Sequence, residues 1–205
     1  MTEFGGWEMP VSYPGGILAE HLATRKFGGL FDISHMGRFA ARGRGALAFL
    51  QYALASNVAA LRPGECQYSI IADEERGAVD DALQYHIGPD DYLLVVNASN
   101  AEADWTRLRG LQERFDGVAL DDLTADVAMV ALQGPRAKAV LAAVVEGGQG
   151  LPGPLRNRLA VCRMFGCDVP AATTGYTGEP VGFELFVPSE AAARVWAGLM
   201  EAGHG

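Results

Sequence analysis

Cysteine and histidine are scarce in this chain, which has three cysteines and four histidines among 205 residues. Cys66, Cys162 and Cys167 are odd in number and have no Cys-x-x-Cys spacing, which argues against both a disulfide framework and a structural zinc site. We therefore expect buried or incidental thiols and no metal site. His35, isolated in Ser-His-Met, is more typical of a hydrogen-bonded structural residue than of a catalyst.

Basic residues and long apolar runs are also lacking. Lysine and arginine number 16 against 25 acidic residues, giving a formal net charge of −9. Surfaces that bind nucleic acid or anionic membranes depend on lysine and arginine, so neither partner is expected. No run of 18 apolar residues occurs, and Met1-Thr2-Glu3-Phe4 lacks the basic and apolar regions of a signal peptide. The sequence predicts a cytoplasmic protein without a membrane span.

The chain contains a weak internal repeat with an offset of 91 residues, as from Gly43 to Gly134. In each copy a strand-like run, a glycine and a helix-like run are followed by a second strand and a helix with Trp and Leu three apart. The matched pairs are Gly43/Gly134, Ala46/Ala137, Leu50/Leu141, Leu94/Leu185, Val96/Val187, Trp105/Trp196 and Leu108/Leu199. The repeat predicts an α+β fold of two similar halves, about 30–120 and 121–205, with mainly antiparallel sheets, flanking helices and a cleft between the halves.

A glycine-rich stretch at residues 174–184 precedes the apolar strand Leu185-Phe186-Val187. Its glycines permit positive φ and a close approach of the backbone to a ligand, and the strand that follows fixes the direction of Glu184. One carboxylate can accept two parallel hydrogen bonds from a guanidine-like edge, such as the edge of a pterin. The alternative is a glycine-rich hairpin with a glutamate on its surface.

Two adjacent carboxylates stand in Gly77-Ala78-Val79-Asp80-Asp81-Ala82-Leu83, which alternates like a strand leaving a turn. Successive side chains of a strand point to opposite faces, so only one of Asp80 and Asp81 can enter a cleft. A carboxylate in a partly dry cleft can hold a cationic amine and can move a proton. The alternative is a solvated pair at the edge of a strand.

Five motifs in order resemble one family, the aminomethyltransferase of the glycine cleavage system, or T-protein. They are Asp32-Ile33-Ser34-His35-Met36-Gly37, Gln67-Tyr68-Ser69, Val79-Asp80-Asp81, Val95-Val96-Asn97-Ala98 and Gly175-Tyr176-Thr177-Gly178-Glu179. The likeness runs from Phe4 to the last helix, so residues 1–205 are expected to be a partial folate-binding region. The resemblance implies that a further N-terminal segment and a C-terminal β-barrel are missing, which would leave apolar surface exposed for self-association.

The resemblance also assigns the site. It implies that Asp81 is the catalytic residue and lies beside the reacting nitrogens of tetrahydrofolate, the co-substrate, while Glu184 binds the pterin edge. The same likeness assigns Met36, Tyr68 and Tyr176 to the walls of the folate pocket and Asn97 to polar contacts with the ligand. No metal is implied.

The activity that the resemblance implies is transfer of methylene from an aminomethyl-lipoyl carrier protein, similar to the H-protein, to tetrahydrofolate with release of ammonia. A second reading keeps the folate and changes the donor, as in demethylases or the folate domains of sarcosine and dimethylglycine oxidases. A third is a folate-binding module without catalysis, similar to the iron–sulfur maintenance relatives or the folate domain of a tRNA-modifying GTPase. The maintenance proteins carry Lys-Gly-Cys-Tyr-x-Gly-Gln-Glu where this chain has Thr-Gly-Tyr-Thr-Gly-Glu, which lacks the cysteine.

Overall fold

The computed structural model describes residues 1–75, 77–148 and 150–204. The strands are β1 (Thr2–Phe4), β2 (Trp7–Met9), β3 (Gly29–Asp32), β4 (Gly37–Arg42), β5 (Glu65–Ala72), β6 (Ala78–Gly88), β7 (Asp91–Val96), β8 (Ala119–Asp122), β9 (Val127–Gln133), β10 (Leu159–Met164), β11 (Cys167–Ala172) and β12 (Gly182–Pro188). The helices are α1 (Ile17–Lys26), α2 (Ala46–Ala53), α3 (Ala101–Gln112), α4 (Ala137–Val144) and α5 (Ala192–His204). The chain divides into two compact units, residues 35–125 and residues 1–34 with 126–205.

The unit of residues 35–125 is built on a five-stranded sheet in the order β5-β6-β7-β4-β8, with antiparallel neighbours. Apolar residues from alternate strand positions and from helices α2 and α3 form its core. Members of this core are Phe39, Phe49, Leu50, Ile71, Leu94 and Leu108. Full burial of one such side chain stabilises the fold by about 1.5–3 kcal/mol, so this core fixes which face of β6 and β7 turns toward the helices.

The unit of residues 1–34 and 126–205 has a second five-stranded antiparallel sheet in the order β10-β11-β12-β9-β3. Its core lies between one face of this sheet and helices α4 and α5. The core includes Val130, Leu132, Leu141, Met164, Leu185 and Leu199. Because Phe183 and Leu185 point into this core, Glu184 between them belongs to the opposite face of β12.

The predicted α+β fold with two repeated halves is confirmed. The succession β4-α2-β5-β6-β7-α3 in one unit corresponds to β9-α4-β10-β11-β12-α5 in the other, and both sheets place the equivalent strands in the same order. Gly43 and Gly134 start the equivalent turns with φ of 103° and 118°. A Cβ at either position would come within 2.4–2.5 Å of a carbonyl oxygen, so both turns require glycine.

Helix α1 differs from the other helices because none of its residues is buried. Ile17, Leu18 and Leu22 are exposed on it, and Phe4 and Tyr13 are exposed in the segment before it. These exposed apolar side chains are called the exposed apolar surface at residues 4–22. None of the described helices is both long enough and apolar enough to cross a membrane.

Candidate functional site

The polar centre of the unit of residues 35–125 lies where β6 begins and β7 ends. Asn97, directly after β7, donates its side-chain amide to Asp81 Oδ1 at 2.8 Å and to Asp80 Oδ1 at 2.9 Å. Its backbone N–H donates to Asp80 Oδ2 at 3.3 Å. One amide thus binds two successive carboxylates, which is possible because it lies beyond the last residue of its strand.

Strand alternation separates the other partners of the two acids. Asp81 is bonded by the hydroxyl of Tyr68, a residue of the neighbouring strand β5. Asp80 instead interacts with Asn100 and Asp104, at the start of and within helix α3. The two carboxylates therefore leave β6 on opposite sides, as the alternation predicts.

Tyr68 and Asp81 form the more accessible side of this cluster. Asp81 is half-buried, and the Tyr68 ring is exposed. The pKa of the Tyr68 hydroxyl is raised above 10.0, first by its hydrogen bond to Asp81, then by burial and by the negative charges of Asp81 and Asp80. The phenol therefore stays protonated at neutral pH and donates to the Asp81 carboxylate.

Asp80 and Asp104 form the inner side, and their pKa values move apart. Burial acts to raise the pKa of Asp80, but hydrogen bonds from Asn97, Asn100 and Asp104 outweigh it and leave the pKa below 3.8. Burial raises the pKa of Asp104 to about 8, and the hydrogen bond to Asp80 and the charges of Asp80 and Asp81 add to the effect. Asp80 is ionised and Asp104 neutral at pH 7. Asp104 was not among the predicted site residues.

Met36 is half-buried in the turn before β4. Its carbonyl oxygen accepts a hydrogen bond from the guanidinium of Arg38, which is fully buried and also donates to the carbonyl of Thr124. The structure therefore fixes the main chain at Met36. Among the predicted residues of this unit, Tyr68, Asp81 and Asn97 are joined by hydrogen bonds.

In the other unit, Glu184 lies in the middle of its sheet, opposite Ala131 of β9 and Ala172 of β11. Its exposed fraction is 3%, and its carboxylate accepts a hydrogen bond from the hydroxyl of Thr174. The carboxylate therefore has a fixed orientation. This excludes the sequence alternative of a surface glutamate after a glycine-rich hairpin.

Gln133 holds the glycine-rich turn that follows β11. Its amide donates to the carbonyls of Thr174 at 3.1 Å and Phe183 at 3.3 Å, and its oxygen accepts from the Thr177 hydroxyl at 2.9 Å. A Cβ at Gly175 or Gly182 would lie 2.2 Å from that oxygen. These two glycines make room for Gln133, and the expectation that the turn approaches a ligand closely stays a prediction. Gln133 was also not among the predicted residues.

An ion pair fixes the tip of the same turn. Arg25 of α1 binds Glu179, whose side chain is buried, and donates to the carbonyl of Thr177 at 2.7 Å. Glu179 is thus a carboxylate that fixes the turn. Tyr176 remains 65% exposed between these anchored residues.

Neither a metal cluster nor a disulfide occurs in residues 1–75, 77–148 and 150–204. Within them, no group of three or more His, Cys, Asp and Glu side chains could hold a metal ion. None of the three cysteines is in a disulfide within these residues; Cys66 and Cys162 are buried and Cys167 is half-buried. Burial raises the pKa of the Cys162 thiol to about 11, so it is not a thiolate at neutral pH.

Comparison with known proteins gives one consistent result. The model of a family described as the GCVT N-terminal domain matches residues 1–205. An aminomethyltransferase of Deinococcus deserti is 45% identical over 203 residues, which are 99% of this chain and 56% of that protein. An aminomethyltransferase of Geobacillus kaustophilus is 46% identical over 201 residues, 98% of this chain and 54% of that protein. The chain thus spans about half the length of the curated relatives it matches.

Solved structures agree with the sequence matches. The glycine cleavage system aminomethyltransferase T from Bartonella henselae superposes with a TM-score of 0.86 at 38% identity, over 97% of this chain and 52% of that one. A heterotetrameric sarcosine oxidase from Corynebacterium sp. U-96 gives a TM-score of 0.67 at 18% identity, over 91% of this chain and 90% of that one. The second likeness shows a shared fold.

Proposed function

The chain belongs to the family described as the GCVT N-terminal domain, and from this membership we propose that it acts in aminomethyl transfer of the glycine cleavage type. The proposed reaction moves a methylene group from an aminomethyl-lipoyl carrier protein to tetrahydrofolate and releases ammonia. The proposed partner is a lipoylated carrier similar to the H-protein, and the proposed location is the cytoplasm. Relatives that carry the name aminomethyltransferase support the reaction class.

The observation that carries the proposal is the arrangement around Asp81. This half-buried carboxylate is bound by the Asn97 amide at 2.8 Å and by the Tyr68 hydroxyl, beside an exposed aromatic ring. Both groups donate to the charged form of the acid, and neither is a cation that would neutralise it. The negative charge of Asp81 therefore remains available to a cationic group that approaches from the exposed side.

Asp81 is proposed as the catalytic residue. When bound, tetrahydrofolate would supply two N–H nitrogens that form bonds to the methylene carbon in place of its bonds to the ammonia nitrogen and the lipoyl sulfur. One displaced proton would go to the lipoyl thiolate and the other to a base. The Asp81 carboxylate would hold the positively charged amine by charge and accept a proton as the leaving groups depart. Asn97 and Tyr68 would keep its oxygens in place, which is a positioning contribution.

The proposed folate-binding residues lie in both units and are considered separately. In the unit of residues 35–125, the exposed ring of Tyr68 offers an apolar face, with Met36, Asp81 and Asn97 as further contacts. The fixed donor and acceptor groups there suit a flat heterocycle.

In the other unit, Tyr176 and Glu184 are the proposed contacts. The Thr174 hydroxyl fixes the Glu184 carboxylate, as two parallel hydrogen bonds to a guanidine-like edge require. A carboxylate and an aromatic ring are the side-chain types that suit the polar edge and the flat face of the proposed ligand.

The proposal is tested by two measurements on the same well-folded sample. The first is anaerobic calorimetric titration with tetrahydrofolate, and the second is ammonia release when an aminomethyl-lipoyl carrier is added. We expect binding and release for the natural chain, and binding with strongly reduced release for Asp81→Asn. Glu102→Gln is the matched control, because it removes one negative charge from an exposed position on α3 and should change neither quantity.

Each outcome assigns the chain to one class. Binding without release by the natural chain would overturn the transferase proposal in favour of a folate-binding module. One-carbon transfer from an N-methylated amine, without transfer from the lipoyl carrier, would favour a folate-dependent demethylase. A folded chain that does not bind tetrahydrofolate would contradict all three readings.

A further inference from the structure

Asp104 is a buried acid that the proposed reaction does not use. It lies on α3 with an exposed fraction of 0%. Neither of its carboxylate oxygens accepts a hydrogen bond from an N–H or O–H donor among the described parts of the chain, residues 1–75, 77–148 and 150–204. A charged carboxylate left in this state would strongly destabilise the fold, so the charge must be neutralised in another way.

The neighbour of Asp104 is a second acid, Asp80 of β6. Two carboxyl groups can share a hydrogen bond only when one of them carries a proton, which then acts as the donor. Asp80 already accepts the Asn97 amide at 2.9 Å, and those bonds favour its charged form. The proton therefore belongs to Asp104, and Asp104 donates to Asp80.

Within the part of the chain that the structure describes, no cation on the surrounding elements forms a hydrogen bond with Asp104. The charges that face Asp104 from β6 are those of Asp80 and Asp81, both negative. On α3 itself, the guanidinium of Arg107 is directed at the carbonyl of Ala72, 2.7 Å away, and at Glu74.

Charged side chains on the other surrounding elements have partners of their own. The guanidinium of Arg38 on β4 is directed at the carbonyls of Met36 and Thr124. Helix α2 contains no charged residue. On β8, Asp121 pairs with Arg42 and Asp122 accepts from the backbone of Thr124. The neutral state of Asp104 thus depends on its own proton.

We propose that Asp104 is a positioning residue for the reaction: it keeps a proton, donates a hydrogen bond to Asp80, and so fixes Asn97 and the catalytic Asp81. The connection is continuous, because Asp80 Oδ1 and Asp81 Oδ1 bind the same Asn97 nitrogen at 2.9 and 2.8 Å. The positioning role rests on the proposed function, whereas the shared proton does not. When Asp104 loses its proton, the Asp104–Asp80 bond is replaced by repulsion between the buried Asp104 carboxylate and the half-buried Asp80 carboxylate, and Asn97 loses its fixed position.

The first test needs no activity. The side-chain amide of Asn97 is followed by ¹H–¹⁵N NMR from pH 6 to 9.5 in the natural chain, in Asp104→Asn and in Glu102→Gln. The raised pKa of Asp104, about 8, predicts a titration of the Asn97 signals near that pH in the natural chain and in the Glu102→Gln control. Asp104→Asn should abolish this titration, because its amide N–H can donate to Asp80 at every pH.

The second test uses the pH profile of methylene transfer. The protonated fraction of an acid falls about tenfold for each pH unit above its pKa. We therefore expect the rate of the natural chain to fall about tenfold between pH 8.5 and 9.5, and the rate of Asp104→Asn to stay level. Asp104→Ala cannot donate a hydrogen bond, so its transfer rate should be low at both pH values. A higher rate for Asp104→Asn than for Asp104→Ala would show that the residue acts as a hydrogen-bond donor and does not only fill space.

The outcomes separate the two proposals. Asn97 signals that titrate identically in the natural chain and in Asp104→Asn would overturn the proposed proton donor. If the natural chain shows the NMR titration but has no transferase activity, the hydrogen bond between Asp104 and Asp80 is supported and the proposed function is rejected. If Asp104→Ala does not fold, the comparison of the natural chain with Asp104→Asn still decides.

Discussion

Replacement of Asp104 by Asn should make the stability of the protein less dependent on pH. Folding raises the pKa of Asp104 from 3.8 to about 8, so between these values the native state binds a proton that the unfolded chain has released. The contribution of this group to the free energy of unfolding is fully present below pH 3.8 and is lost as the pH rises through about 8. An asparagine has no such proton.

The magnitude follows from the linkage relation. One proton bound by the native state alone changes the free energy of unfolding by about 1.4 kcal/mol per pH unit. From pH 5.5 to 7.0, the natural chain should therefore lose about 2 kcal/mol relative to Asp104→Asn. Asp80 adds no slope in this window, because its pKa lies below 3.8 and it is ionised throughout.

Urea unfolding followed by tryptophan fluorescence is suited to this measurement. Trp105 is the neighbour of Asp104 on α3, and its ring packs 4.9 Å from that of Phe39 in the same core. Replacing Trp7 and Trp196 by Phe leaves Trp105 as the single reporter for the unit of residues 35–125. The comparison requires a single transition with equal m-values in both proteins.

The same urea unfolding curves, measured between pH 5.5 and 7.0, provide the control and the result that would refute the prediction. Glu102→Gln, on the exposed face of the helix, should follow the pH dependence of the natural chain. If Asp104→Asn and the natural chain run parallel from pH 5.5 to 7.0, Asp104 binds no extra proton in the native state. The shared hydrogen bond with Asp80 would then be wrong.

Three further outcomes are expected. Asp81→Asn should reduce the rate of methylene transfer, measured as single-turnover ammonia release, by about 10²-fold or more, which is the usual effect of removing a general acid–base group. An unchanged rate would show that Asp81 is not catalytic. Gly182→Ala should destabilise the protein by about 1–3 kcal/mol in urea unfolding, because the new Cβ would lie 2.2 Å from Gln133 Oε1. If the same loss of stability is measured in a Gln133→Ala background, the contact with Gln133 is not the cause. The exposed apolar surface at residues 4–22 should produce self-association in sedimentation velocity that Leu18→Glu weakens, and a concentration-independent monomer would refute it.

The sequence predicted the elements that depend on local pattern. Gly43 and Gly134, each followed by a short apolar helix, marked the two repeats, and the structure places equivalent helices after both. The alternation of Asp80 and Asp81 was predictable for the same reason, since it follows from strand geometry alone.

The residues that the sequence did not indicate are those whose role arises from neighbours far away in the chain. Asp104 reads as an ordinary polar position near the start of a helix, and only the packing of α3 on β6 buries it against Asp80. Gln133 ends a strand without special pattern, yet it contacts the turn more than 40 residues later. A signal existed for Gln133, because Gly175 and Gly182 have no side chain where a large neighbour needs space.

The central claim is that the Asp81 carboxylate performs the proposed transfer of a methylene group to tetrahydrofolate. Its most direct test uses an aminomethyl-lipoyl carrier labelled with ¹³C at the methylene carbon and follows the label by NMR. The natural chain should move the label to tetrahydrofolate, and Asp81→Asn should bind tetrahydrofolate while leaving the label on the carrier. Transfer by Asp81→Asn at the rate of the natural chain would contradict the account.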